Sequence, residues 1–152
     1  LKGSGGGGRR DAGAVDIRGR RGNALTSIEV KDSRGHPIAA HGRLHTGDLA
    51  RQVAFKVRDS VAGMVGGHRR GGEPQTWGPL AAALAGPNPL PVQVVLWFER
   101  DGAGTRRAWA ELSVLTQELK RHCRWLNAKV LVVNRDTATG VLPDLACGGI
   151  AG

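Results

Sequence analysis

The most informative segment of this sequence is TSIEVKDS, residues 26–33. The β-branched residues Ile28 and Val30 alternate in it with charged residues, and a period of two predicts a β-strand. Because alternate side chains of a strand point to the same face, Glu29 and Lys31 lie side by side. On an exposed face they form a solvated ion pair worth less than about 1 kcal/mol. In a cleft they would be a metal ligand and a catalytic cation.

A second acidic residue precedes this strand. The segment AVDIRGRRGNAL predicts a short strand over 14–18, a turn at GRRGN and the second strand over 24–31. In such an antiparallel hairpin, Asp16 lies across from Glu29 on one face of the sheet. If the strand register is shifted, Asp11 takes that place instead.

Two neighbouring carboxylates repel each other, and a divalent cation removes that repulsion. Mg²⁺ typically takes one or two carboxylates together with waters and a substrate phosphate. Asp16 and Glu29 are therefore candidate ligands of Mg²⁺ or Mn²⁺, and the backbone carbonyl of Val30 would complete the set. Such an ion activates a bound water and stabilises charge on a scissile phosphate. Lys31 would orient that water and stabilise the developing negative charge.

The rest of the chain alternates helices with strands. Periodic apolar residues predict helices over 46–65 and 106–126, and apolar runs predict buried strands over 92–99 and 128–134. The Gly- and Pro-rich segment 66–91 predicts a long loop, in which PLAAALAG forms a short helix. The order β-β-α-β-α-β predicts an α/β fold with a central mixed sheet, in which an antiparallel hairpin joins parallel strands, flanked by helices.

Three of the four tryptophans fall on apolar patterns. Trp97 lies in the strand over 92–99. Trp109 begins the apolar stripe of the second helix, and Trp125 lies near its end. These patterns predict that all three side chains are part of the core.

The composition fits one domain of 152 residues. Residues 1–13 are rich in Gly and are expected to form a flexible linker, so that the domain spans 14–152. The chain has no run of 18 or more apolar residues and does not open with a secretory signal. With only Cys123 and Cys147, a disulfide scaffold is not expected, and we expect a cytoplasmic protein without a membrane partner. The chain does not begin with Met, and we expect it to be a module of a larger protein.

The formal net charge of +9 favours a polyanionic partner, and DNA is the obvious one. Arginine outnumbers lysine 17 to 5, a bias that a GC-rich genome also produces. The charge therefore supports DNA binding without establishing it. The candidate phosphate-binding residues are arginines of the hairpin and of the long loop: Arg18, Arg20, Arg21, Arg69 and Arg70.

The order of these residues resembles the PD-(D/E)xK nuclease superfamily. An Asp on one strand, here Asp16, is followed across a hairpin turn by Glu29-Val30-Lys31, and then by a helix and a parallel strand. The resemblance covers about residues 14–134. It implies a restriction-endonuclease-like core and Mg²⁺-dependent hydrolysis of phosphodiester bonds in DNA, in which the two acids bind the metal and Lys31 is catalytic.

Two further positions bear on the resemblance. Gln52, in LARQVAFK, stands where the RecB-like subgroup carries a helical glutamine, which implies a role at the metal or the substrate phosphate. The alternative for Gln52 is a plain solvent-facing residue. The superfamily's Pro before the first Asp is replaced by Val15.

Two other functions stay open. The same fold without catalysis would act as a basic DNA-binding or protein-interaction module. A small-ligand α/β domain of unrelated topology is the third alternative. A second copy of this chain and other domains of a larger defence or repair protein are the remaining candidate partners.

Overall fold

The computed structural model describes residues 13–36, 42–45, 47–72, 74–102 and 104–142. They form an α/β fold with one four-stranded mixed sheet flanked by helices, as the sequence predicts. Among the described residues, no helix is both long enough and apolar enough to cross a membrane.

The sheet has the strand order β1-β2-β3-β4. β1 and β2 pair antiparallel, and β2, β3 and β4 run parallel. The strands are β1 (Ile17–Arg21), β2 (Ala24–Asp32), β3 (Val92–Glu99) and β4 (Lys129–Val133). The helices are α1 (Asp48–Arg69), α2 (Pro74–Ala85), α3 (Arg106–His122) and α4 (Arg135–Val141), and a 3₁₀ turn (Arg124–Leu126) follows α3.

The two faces of the sheet pack against different helices. Leu96 and Phe98 of β3 join a core cluster that includes residues of α1 and α3. On the opposite face, Val95 and Trp97 join a smaller cluster that includes residues of α4. The prediction that Trp97 belongs to the core is therefore confirmed. Because Glu29 is the register partner of Leu96, its side chain points to the face that α1 and α3 cover.

The first strand begins later than its sequence pattern predicts. The prediction of a strand over 14–18 is wrong, since β1 begins at Ile17. The backbone N–H of Val15 donates to Oγ of Ser60 at 2.9 Å, so this part of the chain bonds to α1 rather than to β2. Asp16 consequently lies at a bend immediately before β1.

The hairpin turn is tighter than the predicted GRRGN. Arg21 pairs with Ala24, so only Gly22 and Asn23 lie between the strands. The φ angle of Gly22 is +54°, a value that glycine adopts with little strain. The arginines that were predicted for the turn therefore belong to β1.

The prediction of a long loop over 66–91 is also wrong. α1 continues through Gly66 and Gly67 to Arg69, and α2 occupies most of the remainder. Each glycine weakens a helix by about 1 kcal/mol relative to alanine. α1 nevertheless extends beyond Met64, the last buried residue of its apolar face. All but the final glycine of the short helix that the sequence predicts at PLAAALAG lies within α2.

Two of the three predicted core tryptophans lie on the surface. Trp109 and Trp125 are each 54% exposed. The buried side of α3 is instead formed by Ala108, Leu115 and Leu119. Trp109 lies about 100° around the helix from Ala108, so the apolar stripe begins one residue earlier than predicted.

The sequence pattern predicts no helix at α4, and the cap of this helix explains why it forms. Oδ1 of Asn134 accepts the backbone N–H groups of Asp136 and Thr137, both at 3.0 Å. Oγ1 of Thr137 in turn accepts the N–H of Asn134 at 3.0 Å, which completes a capping box. This cap positions Ala138 and Leu142 in the smaller core cluster.

We predict that Asn134→Ala lowers the free energy of unfolding by about 1–2 kcal/mol, because the cap is lost at a buried position. Asn134→Asp retains the side-chain acceptor and is the control. Urea unfolding followed by circular dichroism measures both variants. Equal stability of wild type and Asn134→Ala would show that the capping box is dispensable.

Candidate metal-binding and catalytic site

The carboxylate of Glu29 is the centre of the site. It lies on β2 beneath α1 and is 1% exposed. A buried carboxylate is costly unless cations or hydrogen-bond donors compensate for lost water. Two ammonium groups do so at the same oxygen: Nζ of Lys31 lies 3.0 Å from Oε1, and Nζ of Lys56 lies 2.8 Å from it. The solvated surface pair that was the alternative for Glu29 and Lys31 is therefore wrong, because Glu29 is buried.

The second carboxylate oxygen is in a different situation. Oε2 of Glu29 is buried and has no hydrogen-bond partner among the described residues. Buried polar atoms of this kind are uncommon in folded proteins, and leaving one unsatisfied costs about 1–3 kcal/mol or more when it is charged. An oxygen of this kind is a suitable ligand for a hard cation.

Asp16 lies beside the backbone of the motif strand. Its Oδ2 accepts the N–H of Val30 at 2.8 Å, and its side chain is exposed. Ile17 and Ile28 are the last register pair of β1 and β2. Beyond that pair, the N–H of Val30 bonds to the Asp16 side chain instead of to a backbone carbonyl of the β1 side. The structure thus places the first acid of the predicted motif next to the residue between Glu29 and Lys31.

The Val30 carbonyl points toward the same edge of β2. The N–H groups of Leu25 and Ser33 donate to carbonyls on the β3 side, so odd-numbered residues of β2 bond toward β3. Both polar backbone groups of an even-numbered residue such as Val30 therefore point toward β1. Asp16 and the Val30 carbonyl consequently occupy one edge, beside the face that carries Glu29.

Lys56 is the site residue that the sequence interpretation missed. It lies on α1 one helical turn after Gln52, and its side chain is 18% exposed. Gln52 itself is exposed, and the ion pair from α1 to Glu29 is made by Lys56. One feature of the sequence could have indicated Lys56, because it lies beside the buried stripe that contains Val53 and Val57. A long side chain beside such a stripe can reach across it.

The arginines of the hairpin divide between the two faces of the sheet. Arg18 pairs with Ser27, and Arg20 pairs with Leu25. Both arginines therefore lie on the face that carries Glu29. Arg21 alternates with them and lies on the opposite face.

The other two arginines are distant from the site. Arg69 is the last residue of α1, and Arg70 follows it as the C-cap. The helical rise places Arg69 about 20 Å along the helix axis from Lys56. Both are exposed, and the predicted loop that was expected to carry them is helix.

A cavity of about 260 Å³ adjoins Lys31 at the carboxyl ends of β2 and β3. Lys31, Ser33, His36 and Arg43 supply polar groups to its wall. Asp32 also lines it, and the hydrogen bonds from Arg34 lower the pKa of Asp32 to about 2. Ligands of open α/β sheets commonly bind outside the carboxyl ends of the strands.

The acids at the end of β3 have structural partners. Oε1 of Glu99 accepts Nε1–H of Trp97 and the backbone N–H of Arg135, both at 2.8 Å. Oδ2 of Asp101 accepts the N–H of Gly35 at 2.8 Å. These bonds tie together the loops that follow the parallel strands, which agrees with a structural role for both carboxylates.

In the described part of the chain, no three histidine, cysteine, aspartate or glutamate side chains form a group that could hold a metal ion. An ion at this site would depend on the two acids, a backbone carbonyl and water. Comparison of the chain with protein-family models, with curated proteins and with solved structures gave no significant match.

Proposed function

We propose that this chain is a Mg²⁺-dependent nuclease domain that hydrolyses phosphodiester bonds in DNA. The observation that carries the proposal is the carboxylate of Glu29, which is buried and binds two lysines at one oxygen. Its other oxygen lacks a partner among the described residues. Glu29 belongs to β2, and Asp16 accepts a backbone N–H of the same strand. A carboxylate that served only an ion pair would have no need to keep a buried oxygen unsatisfied.

The arrangement of the elements supports a restriction-endonuclease-like core. An antiparallel hairpin precedes a helix, and the next strand lies parallel and adjacent to the second hairpin strand. This is the order that the resemblance to the PD-(D/E)xK superfamily requires. Asp16 lies immediately before the first hairpin strand, and Glu29 and Lys31 lie on the second, so the motif residues follow the order of the superfamily motif.

The donors of the site fit a hard divalent ion. Glu29 Oε2, the Asp16 carboxylate and the Val30 carbonyl are all oxygens, the ligands that Mg²⁺ and Mn²⁺ take alongside water. A bound ion would lower the pKa of a water ligand and stabilise negative charge on the phosphate. Lys31 and Lys56 hold Oε1, which leaves Oε2 as the carboxylate oxygen for the ion.

The remaining residues would bind and orient the substrate. Lys31 is 28% exposed, so its ammonium can reach an incoming phosphate without leaving the edge of the site. Arg18 and Arg20, on the same face, would contact flanking phosphates and set the position of the DNA. Gln52, exposed one turn from Lys56, would face the substrate rather than Glu29.

One observation favours a second candidate, a DNA-binding or protein-interaction module without catalysis. Lys31 and Lys56 already neutralise Glu29, and Asp16 already accepts a backbone N–H. The ion pairs are thus largely complete without metal. In that case the chain would bind DNA in a salt-dependent manner and would not cleave it.

A magnesium titration distinguishes the two functions. We predict that saturating Mg²⁺, at about 100 times its dissociation constant, stabilises the wild type by about 2.7 kcal/mol and raises its melting temperature by several degrees. Asp16→Asn should lose most of this increase, because the neutral amide is a poorer ligand for the ion.

Asp59→Asn on α1 is the matched control, because its carboxylate pairs with Arg58 at the surface. Sodium chloride at equal ionic strength separates site binding from screening. An identical rise in melting temperature for wild type and Asp16→Asn would show that Asp16 does not bind the ion. DNA binding without cleavage, by a wild type that Mg²⁺ stabilises neither alone nor with DNA bound, would favour the binding module.

A further inference from the structure

We propose that Lys56 makes capture of the divalent ion depend on the phosphate of the substrate. This inference rests on the proposed nuclease function. It extends that function by assigning a role to a lysine outside the sequence motif. In the absence of DNA the site would bind Mg²⁺ weakly, and DNA and Mg²⁺ would bind together.

The charges of the cluster lead to this proposal. Asp16 and Glu29 carry two negative charges, and Lys31 and Lys56 carry two positive charges. The charges of these four side chains therefore sum to zero before an ion arrives, and an ion adds two positive charges next to two ammonium groups. Because Glu29 is 1% exposed, water screens this repulsion poorly. A phosphodiester brings one negative charge and thereby reduces the repulsion between the ion and the two ammonium groups.

Removing the second lysine reverses the balance. Without Lys56 the cluster carries one net negative charge, which attracts a divalent ion even in the absence of DNA. Lys56 is thus unfavourable for the ion alone and favourable for the phosphate. A lysine that served only to stabilise the fold would not have opposite effects on the two ligands.

The contacts of α1 keep Lys56 at the site. Ser60, which is fully buried, donates its hydroxyl to the carbonyl of Lys56 at 2.8 Å and accepts the N–H of Val15 at 2.9 Å. The helical turn that carries Lys56 is therefore bonded to the residue before Asp16. This linkage places the ammonium of Lys56, the carboxylate of Glu29 and the segment of Asp16 in one unit.

Thermodynamic linkage makes the proposal measurable. If DNA tightens Mg²⁺ binding by some factor, Mg²⁺ tightens DNA binding by the same factor. We expect this coupling factor to be large in the wild type and to fall when Lys56 is neutral. The comparison needs no catalytic turnover, because Ca²⁺ takes the same oxygen ligands and can replace Mg²⁺ while DNA affinity is measured.

The experiment compares wild type, Lys56→Met, Lys56→Arg and Lys120→Met. Calorimetry measures the affinity for Mg²⁺ without DNA, and fluorescence anisotropy measures the affinity for a DNA duplex with and without Ca²⁺. We predict that Lys56→Met binds Mg²⁺ at least about tenfold more tightly without DNA and binds metal-free DNA several-fold more weakly. Lys56→Arg keeps the charge and should stay closer to the wild type than Lys56→Met. Lys120→Met removes an exposed lysine on α3 and should resemble the wild type.

The outcomes separate the two proposals. Unchanged or weaker Mg²⁺ binding by Lys56→Met would overturn the role of Lys56 and leave the nuclease proposal intact, provided that the wild type binds Mg²⁺ and cleaves DNA. A wild type that binds no divalent ion, with or without DNA, would overturn both. Lys56→Gln repeats the test should Lys56→Met fail to fold, and far-ultraviolet circular dichroism checks each variant.

Discussion

Glu29→Gln is expected to abolish Mg²⁺-dependent DNA cleavage while the domain stays folded. An ion that activates water and stabilises the scissile phosphate contributes several kcal/mol to the transition state, and each 1.4 kcal/mol corresponds to about a tenfold change in rate. Losing the buried anionic ligand should therefore lower the cleavage rate at least about a thousandfold. The measurement is single-turnover cleavage of a labelled duplex at saturating Mg²⁺.

The fold should survive this substitution for a structural reason. The amide oxygen of glutamine can still accept hydrogen bonds from Lys31 and Lys56, whose side chains are 28% and 18% exposed and retain access to water. Glu118→Gln, at a partly exposed ion pair of α3, is the matched control and should cleave like the wild type. Full cleavage by Glu29→Gln would rule out Glu29 as a metal ligand.

Lys31→Met tests the other residue of the motif. Its ammonium contacts Glu29 and is exposed enough to reach a phosphate, so we expect loss of cleavage with Mg²⁺ affinity retained or increased. Loss of Mg²⁺ binding together with cleavage would instead assign Lys31 a role only in positioning Glu29. The two substitutions together thus separate binding of the ion from stabilisation of the reacting phosphate.

Leu119→Ala is expected to have the largest effect on stability. Leu119 is fully buried in the cluster between the sheet and the helices, and truncation of such a leucine costs about 2–5 kcal/mol. Trp109→Ala removes a larger side chain from the same helix, but that side chain is 54% exposed and should cost less than about 1 kcal/mol. Urea unfolding of both variants provides the comparison.

The sequence pattern alone would predict two comparable losses, because it assigns both residues to the buried stripe of α3. A larger loss for Trp109→Ala than for Leu119→Ala would therefore show that the tryptophan is covered in solution. Equal slopes of the unfolding transitions are required for this comparison, since a changed slope reports a different unfolded or native state.

Local patterns predicted the elements better than their ends. The strand over 92–99 agrees with β3, because a continuous apolar run between turn residues depends on nearby sequence alone. The start of β1 and the end of α1 differ from prediction. The first depends on the bond from Val15 to Ser60, 45 residues away, and a contact of this range leaves no periodic signal. The second lies beyond Gly66 and Gly67, which local propensity disfavours in a helix although α1 continues through them.

By itself, the sequence determined that Glu29 and Lys31 share one face of a strand, because side chains of a strand alternate with a period of two. It also determined the order of strands and helices that makes the sheet mixed. Only the tertiary structure decided that this face is buried by α1, that Lys56 reaches Glu29 across 27 residues of chain, and that Oε2 has no partner among the described residues. The reason is physical: periodicity follows from backbone geometry, whereas burial and charge pairing depend on which distant segments pack together.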